Sequence, residues 1–207
     1  MLLPTASLTA LFLLCAPDVS PVTLNAVIKT ESGGNPYQVA NVSDGVSRSF
    51  NDADAAVKYL NELSGANKRF SAGLMQIYSG NFSALGLTNK SVFQPCENIK
   101  AGASILKENY QKQTGNDTQA NVLKSLSMYY SGNDKSGFIK EKQFKNTSYV
   151  ERVQNNVYTV PELKKNGGGE PTPESNKPTE IVTETETETE TENEMSQQWD
   201  VFGDFKK

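Results

Sequence analysis

Apolar residues recur at the spacing of an α-helix in five segments of the chain. The first predicted helix begins at Ser20-Pro21, a typical N-cap and first-turn pair, and ends before Gly33-Gly34. The other four are predicted over about residues 52–63, 96–112, 117–131 and 147–157. Alternating strand patterns are scarce. The sequence therefore predicts a mainly α (α+β) single domain over residues 15–160, long enough for one hydrophobic core.

The N-terminal residues 1–14 form an uncharged, apolar segment. This segment resembles the apolar core of an export signal, but the usual basic start is missing, because the first basic residue is Lys29. It is also shorter than the roughly 20 residues of a membrane-spanning helix. We therefore interpret it as an atypical export signal and expect no stable membrane span.

The C-terminal residues 161–207 have a different composition from the rest. Residues 1–161 carry 15 Lys and Arg against 12 Asp and Glu, whereas residues 162–207 carry 5 against 12. A Thr-Glu repeat runs from Thr183 to Glu192, and such a stretch has too few apolar groups to offset the entropy of ordering. The sequence predicts a disordered acidic tail. Its end carries Trp199, Phe202 and Phe205, either as an inert arm or as an apolar stripe that docks on a partner.

The chain contains no histidine and two cysteines. This composition excludes a Ser-His-Asp or Cys-His catalytic group and a histidine-based metal site. Basic clusters with interleaved aromatic residues, the usual sign of nucleic-acid binding, are also missing. We expect carboxylate, hydroxyl, lysine or backbone chemistry, with no metal, no cofactor and no nucleic-acid partner.

Glu31 is the first candidate for that chemistry, because it closes the first predicted helix after an apolar turn. A carboxyl group at the rim of an apolar pocket has a raised pKa and can act as a general acid near neutral pH. A glutamate near a helix end is more often simply solvated, so the position alone leaves both interpretations open.

Four ordered blocks carry a resemblance to a known family. They are Glu-Ser-x-x-Asn-Pro from Glu31, Gly-Leu-Met-Gln from Gly73, Asn-x-x-Ala-Gly from Asn98 and Tyr-Tyr-Ser-Gly from Tyr129. In this order they resemble the blocks of the lysozyme-like lytic transglycosylases, over about residues 14–158. Cys15-Ala16-Pro17, Arg69-Phe70-Ser71 and Pro95-Cys96 are similar to the subfamily of type IV secretion and conjugation machines. One departure is Tyr130, which stands where the family usually has Asn.

The resemblance implies a lysozyme-like fold with a cleft, and an enzyme of the periplasm or cell envelope that cleaves peptidoglycan glycan strands. Glu31 would be the single catalytic carboxyl, and the product would end in 1,6-anhydro-N-acetylmuramic acid. The partners would be the glycan strands and proteins of the secretion apparatus.

The resemblance also implies roles for other side chains around the cleft. Ser71 would orient an N-acetyl group, Met75 would form an apolar wall, and Gln76 would hydrogen-bond a sugar. Tyr129 would hydrogen-bond Glu31, and the substituted Tyr130 leaves one substrate hydrogen bond in question. Met75 and Tyr129 could instead be core residues, and Ser71 a turn residue. Tyr149 fits a cleft wall and the core equally well.

Cys15 and Cys96 are expected to form a disulfide, because both are placed just before helices in the implied fold and two cysteines of an exported chain are usually paired. A pair of buried free thiols is the alternative. A signal cut after Ala16 would remove Cys15 and leave Cys96 unpaired.

Two other functions compete with the transglycosylase. A true muramidase would need a second carboxylate, with Asp44, Asp52 and Asp54 as candidates. A catalytically silent wall-binding or scaffold protein would work through its tail.

Ala101-Gly102 is interpreted as a site of tight helix packing.

Truncation after Lys165 tests the role of the tail. Peptidoglycan cleavage in vitro should survive the truncation, because the family blocks end by about residue 158. If the apolar stripe docks on a partner, recruitment to a secretion apparatus should fail, and Trp199→Ala should reproduce much of that failure. Normal recruitment of the truncated protein would identify the tail as an inert arm.

Overall fold

A computed structural model describes residues 5–157 of the chain, with side chains from residue 8 onward. Most of this range is helical, and the helices have the following bounds: α1 Thr5–Cys15, α2 Pro21–Ser32, α3 Ala53–Gly65, α4 Pro95–Gln111, α5 Thr118–Ser131 and α6 Tyr149–Asn155. Four short strands form one antiparallel sheet in the order β2-β1-β3-β4: β1 Gln38–Asn41, β2 Val46–Ser49, β3 Phe70–Ala72 and β4 Ile77–Tyr78. The predicted mainly α (α+β) fold is confirmed.

The helix ends follow local capping chemistry. The side chains of Asp52 and Asp117 accept hydrogen bonds from the first turns of α3 and α5, and Ser148 forms a reciprocal capping box with Glu151 at the start of α6. Gly33 ends α2 in the left-handed conformation, with φ of 62°. Ser20 occupies the N-cap position of α2, but its side chain makes no capping hydrogen bond.

The sheet is the part of the fold that the hydrophobic pattern did not predict. Its strands have two to four residues, and every residue of β2 is exposed. The alternation of buried and half-buried positions in β1 and β3 is too short to be recognised in the sequence. Ser71 lies in β3 and pairs with Ala40 of β1 and Tyr78 of β4. The sheet therefore places Ser71 between two neighbouring strands.

Helix α1 packs against α2 and α4 and contributes Leu8 and Phe12 to the core. These two side chains precede residue 15, where the sequence predicted the domain to begin. Cys15 is the last residue of α1 rather than the residue before a helix, and Cys96 lies in the first turn of α4. A disulfide joins the two cysteines across a sequence separation of 81 residues.

Within residues 5–157 no helix combines the length and apolarity needed to cross a bilayer. The predicted tail of residues 161–207 lies outside the described residues. This includes Trp199, Phe202 and Phe205.

Replacing both cysteines, as Cys15→Ser with Cys96→Ser, should destabilise the protein. A cross-link over a loop of about 80 residues stabilises by roughly 4 kcal/mol in the chain-entropy model, because it restricts the unfolded chain. Urea denaturation at neutral pH measures the loss, and a reductant should lower the midpoint of the parent protein but not that of the variant. Two alkylatable thiols in the native protein would contradict the cross-link.

Candidate active site

A cavity of about 310 Å³ opens where the C-terminal end of α2 meets the sheet, α4 and α5. Its lining includes Glu31, Ser71, Gln76, Tyr129 and Tyr130. A second cavity of about 560 Å³ shares the two tyrosines and extends along α4 to the ion pair between Glu108 and Lys112. The two cavities share lining residues from β4, α4 and α5, and together they are called the cleft here. The cleft brings together five of the seven predicted catalytic and substrate-binding residues.

Glu31 lies in the last turn of α2, is half-buried as a residue and contributes to the lining of the cavity. The Tyr149 hydroxyl donates a hydrogen bond to Glu31 Oε1 at 2.6 Å. Burial raises the pKa of Glu31 to about 7, against the smaller lowering effects of the Tyr149 hydrogen bond and the Arg152 charge. The group can therefore hold a proton near neutral pH and release it without a large free-energy cost.

Tyr149 belongs to α6 and is only 2% exposed. Its buried hydroxyl reaches Glu31 across the contact between α2 and α6, so the ring is a core residue with a polar end at the site. The predicted hydrogen bond between Tyr129 and Glu31 is wrong. Tyr129 lines the cavity, but its hydroxyl donates to the Met75 carbonyl at 2.6 Å.

The loop from Gly73 to Gln76 is held by Asn98, a residue of α4 that is 1% exposed. Asn98 Oδ1 accepts from Met75 N at 2.7 Å, and Asn98 Nδ2 donates to the carbonyls of Ala72 and Val92. Gly73 has φ of 85°, and a side chain there would collide with Asn98. The asparagine of the Asn-x-x-Ala-Gly block thus fixes the Gly-Leu-Met-Gln block.

Met75 does not form the apolar wall of the cleft that the resemblance implied. Its side chain is fully buried and packs against Gly102 of α4, where a Cβ atom would collide with the Met75 thioether. This close approach fits the predicted tight packing at Ala101-Gly102. Met75 influences the cleft through its backbone, which Asn98 and Tyr129 hold on both sides.

Gln76 follows in a left-handed conformation, with φ of 48°, which is uncommon for a residue other than glycine. Its Nε2 donates to the carbonyls of Gln38 and Gly73 at 3.0 and 2.9 Å. The amide oxygen is the group that remains for a ligand in the cavity. Ser71 lies nearby on β3 and is partly exposed.

Tyr130 is 41% exposed and lines both cavities. Its ring is stacked on Tyr149 with centroids 4.5 Å apart and an interplanar angle of 11°. Its hydroxyl donates to Glu141 Oε1 at 2.8 Å, and Glu141 Oε2 accepts from Arg152 at 3.0 Å. Sequence reasoning missed Glu141 and Arg152, because no motif places either residue near Glu31.

The three aspartates considered for a second carboxylate lie elsewhere. Asp44 pairs with Lys68 and accepts from Asn41, and Asp52 caps α3. Asp54 lies on α3 at a separate surface depression. Among the side chains that line the 310 Å³ cavity, Glu31 is the one carboxyl group.

Comparisons with known proteins give a family match and several relatives. The family model described as Transglycosylase SLT domain matches residues 12–151. The chain is 35% identical over 143 residues to the type IV secretion system protein virB1 of Brucella abortus, covering 67% of this chain and 59% of the relative. It is 29% identical over 195 residues to the protein virB1 of Agrobacterium fabrum, covering 93% of this chain and 69% of the relative.

The chain therefore spans about three-fifths of the length of the Brucella relative that it matches. No solved structure matches the chain significantly.

Glu31→Gln should stabilise the protein above pH 7 but not near pH 4. Folded Glu31 keeps its proton to about pH 7, whereas an unfolded glutamate loses it near 4.5, so the folded state binds more protons in between. The free energy of unfolding of the parent protein then falls as pH rises through this window, by up to about 3 kcal/mol. Glutamine removes that dependence.

Urea denaturation at pH 4 and pH 8 measures the effect, with Glu62→Gln on the exposed surface of α3 as a matched control. Equal stabilisation by Glu31→Gln at both pH values would show that the pKa of Glu31 is not raised.

Proposed function

The chain belongs to the transglycosylase SLT domain family, and from this premise we propose that it is a lytic transglycosylase that cleaves peptidoglycan. The proposed bond is the β-1,4 link between N-acetylmuramic acid and N-acetylglucosamine. The proposed product carries a 1,6-anhydro-N-acetylmuramic acid end.

One observation supports this proposal more than any other. A single carboxyl group, that of Glu31, lines the cavity of about 310 Å³, and burial raises its pKa to about 7. Ordinary glycosidases use two carboxyl groups, one as acid and one as nucleophile or base. A cavity with one carboxyl group suits a reaction in which the same group first gives and then recovers a proton.

In the first proposed step, protonated Glu31 donates its proton to the glycosidic oxygen, and the bond from that oxygen to C1 of the muramic ring breaks. Positive charge then develops at C1 and the ring oxygen. The carbonyl oxygen of the sugar's own N-acetyl group stabilises this charge in place of a second carboxylate. The departing N-acetylglucosamine end leaves with the proton.

In the second proposed step, the Glu31 carboxylate removes the proton from the C6 hydroxyl of the same muramic ring. The C6 oxygen attacks C1, closes the 1,6-anhydro ring and restores protonated Glu31. No water is consumed. A pKa of about 7 suits both steps, because general acid–base catalysis is most efficient when the pKa lies near the working pH.

Neutral polar groups around Glu31 have roles that fit this chemistry. Ser71 is a short hydroxyl on the sheet side of the cavity, suitable for orienting the N-acetyl group. The Gln76 amide oxygen could accept a hydrogen bond from a sugar hydroxyl, since its nitrogen is committed to the backbone. The exposed part of the Tyr130 ring offers an apolar surface to a sugar ring.

The setting proposed for this activity is a type IV secretion apparatus in the periplasm or cell envelope. The support is the similarity to the Brucella relative, which is a type IV secretion system protein, together with the apolar N-terminal segment of this chain. Local cleavage of the glycan would open the wall for assembly of the apparatus, whose proteins would be the partners of this chain.

The mass of the released sugars tests the proposed reaction. Digestion of purified peptidoglycan should yield soluble muropeptides that are lighter by one water than the products of a muramidase. Mass spectrometry distinguishes the two product sets. Products with reducing ends would identify a muramidase, and the absence of soluble products would favour a scaffold protein.

Glu31→Gln should abolish cleavage, because the amide has nearly the same shape but cannot give and recover a proton. Loss of general acid catalysis costs about 10²–10⁴-fold in rate, and more where one group serves both steps. Asp44→Asn, Asp52→Asn and Asp54→Asn are the matched controls and should retain near-normal rates. A loss at any of them as large as at Glu31 would contradict the single-carboxyl mechanism.

A further inference from the structure

Tyr149 donates a hydrogen bond to Glu31, and it is linked, directly or through one another, to the side chains of Tyr130, Glu141 and Arg152. Its ring is stacked on Tyr130, a parallel contact with centroids 4.5 Å apart. Tyr130 comes from the end of α5, whereas Tyr149 opens α6. The stack therefore joins two helices at the position from which the Tyr149 hydroxyl reaches the Glu31 carboxyl group.

The Tyr130 hydroxyl is hydrogen-bonded to the ion pair between Glu141 and Arg152. It donates to one oxygen of Glu141, and the other oxygen accepts from Arg152, which also donates to the Thr147 carbonyl at 3.2 Å. The side chains of Arg152 and Glu141 are 18% and 21% exposed, less than those of any other ion pair in residues 5–157. A pair so shielded is screened less by solvent and salt than an exposed one.

Arg152 is itself fixed on several sides. Its guanidinium lies 3.9 Å from the centre of the Phe144 ring and about 6 Å from the rings of Tyr130 and Tyr149. It stands on α6 three residues after Tyr149, one turn further along the helix. The same helix, α6, thus carries the hydrogen-bond donor to Glu31 and the positive charge of Arg152, which lowers the pKa of Glu31.

We propose that Tyr130, Glu141 and Arg152 form a positioning network that holds the Tyr149 hydroxyl on Glu31 and balances the charge that Glu31 experiences. The proposal rests on the proposed function in that Glu31 is taken as the catalytic acid. Neither Glu141 nor Arg152 lines the cleft, so both residues act through Tyr149 and Glu31 and not by touching substrate.

The electrostatic part of the network has a definite sign. Arg152 favours the ionised form of Glu31, and Glu141 partly neutralises Arg152. The other titratable groups that face Glu31 are Tyr149 from α6 and Tyr129 from α5. Both are neutral phenols, whose pKa burial raises well above the usual value.

Two more phenols, those of Tyr78 and Tyr130, line the cavity. Arg152 and Glu141 therefore act in opposite directions on the proton of Glu31.

The test compares Arg152→Gln, Glu141→Gln and the double variant on a soluble peptidoglycan oligosaccharide. The basic limb of the kcat/KM profile reports the acid of the free enzyme. Arg152→Gln should move this limb to higher pH, because a charge favouring the carboxylate is lost. Glu141→Gln should move it to lower pH, because Arg152 is left unopposed. The double variant should return toward the parent limb.

Each of these variants should also lower kcat about tenfold with little change in KM, as expected from a small displacement of a catalytic group. Arg152→Lys retains the charge and should keep the limb near the parent position. Arg48→Gln, on the exposed strand β2, and Glu62→Gln are matched controls that should change neither value.

A purely structural role would lower activity without opposite shifts of the limb, and that result would overturn the proposal. Thermal melting identifies a variant that has not folded, and Glu141→Gln alone carries a decisive sign if Arg152→Gln does not fold. An unchanged or upward shift in Glu141→Gln would then refute the network.

The proton of Glu31 can be followed separately from catalysis, by carbon NMR titration of the parent protein and variants labelled at glutamate carboxyl groups. Glu31→Gln identifies the Glu31 signal by its loss. Opposite shifts of that signal without any glycan cleavage would refute the proposed function and support the network. Glycan cleavage without opposite shifts of that signal would support the proposed function and refute the network.

Discussion

The chemistry of the cleft depends on a carboxyl group that is held largely away from water at the end of a helix. Moving a carboxylate out of water costs free energy unless hydrogen bonds and cations replace the lost solvent. Around Glu31 the lost water is replaced only in part. The Tyr149 phenol donates one hydrogen bond at 2.6 Å, and the charge of Arg152 is already paired with Glu141. Burial is therefore the largest effect, and it leaves the pKa at about 7. A lysine or arginine in direct contact would instead have held the carboxyl group ionised, as an ordinary ion pair.

A group that exchanges a proton in a confined site must also be held in a fixed place, and the buried polar residues below the cleft provide this. Asn98 makes three hydrogen bonds to the backbone, at Met75, Ala72 and Val92, so its burial leaves no unsatisfied amide. Gly102 allows Met75 to approach α4, and Tyr129 holds the Met75 carbonyl from the other side. These contacts fix Gln76 at the edge of the cavity. Three of the four sequence blocks thus contribute residues that hold the protein backbone below the cleft.

The parts of this structure that the sequence could predict are those specified by neighbouring residues. Asp52, Asp117 and Ser148 mark helix starts because each bonds to backbone within three residues. The strands were missed because two to four residues are too few to show a period. The motifs identified Glu31 and two of the three tyrosines that line the cleft, Tyr129 and Tyr130, but not their partners. Tyr149 lies 118 residues from Glu31, and nothing local distinguishes its hydroxyl from that of Tyr129.

Tyr130 departs from the pattern of the family it resembles, and its neighbours give the departure a physical meaning. An asparagine at this position could offer an amide to a sugar, but it could neither stack on Tyr149 nor reach Glu141 with a hydroxyl. Tyrosine does both, and its hydrogen bond goes to a carboxylate that Arg152 already holds. On our proposal, the substitution transfers a hydrogen bond from substrate to protein, so that residue 130 contributes to the reaction by fixing the partner of the acid. Tyr130, Glu141 and Arg152 then depend on one another, because the loss of any one would leave the hydroxyl of Tyr130, the carboxylate of Glu141 or the guanidinium of Arg152 without a main contact.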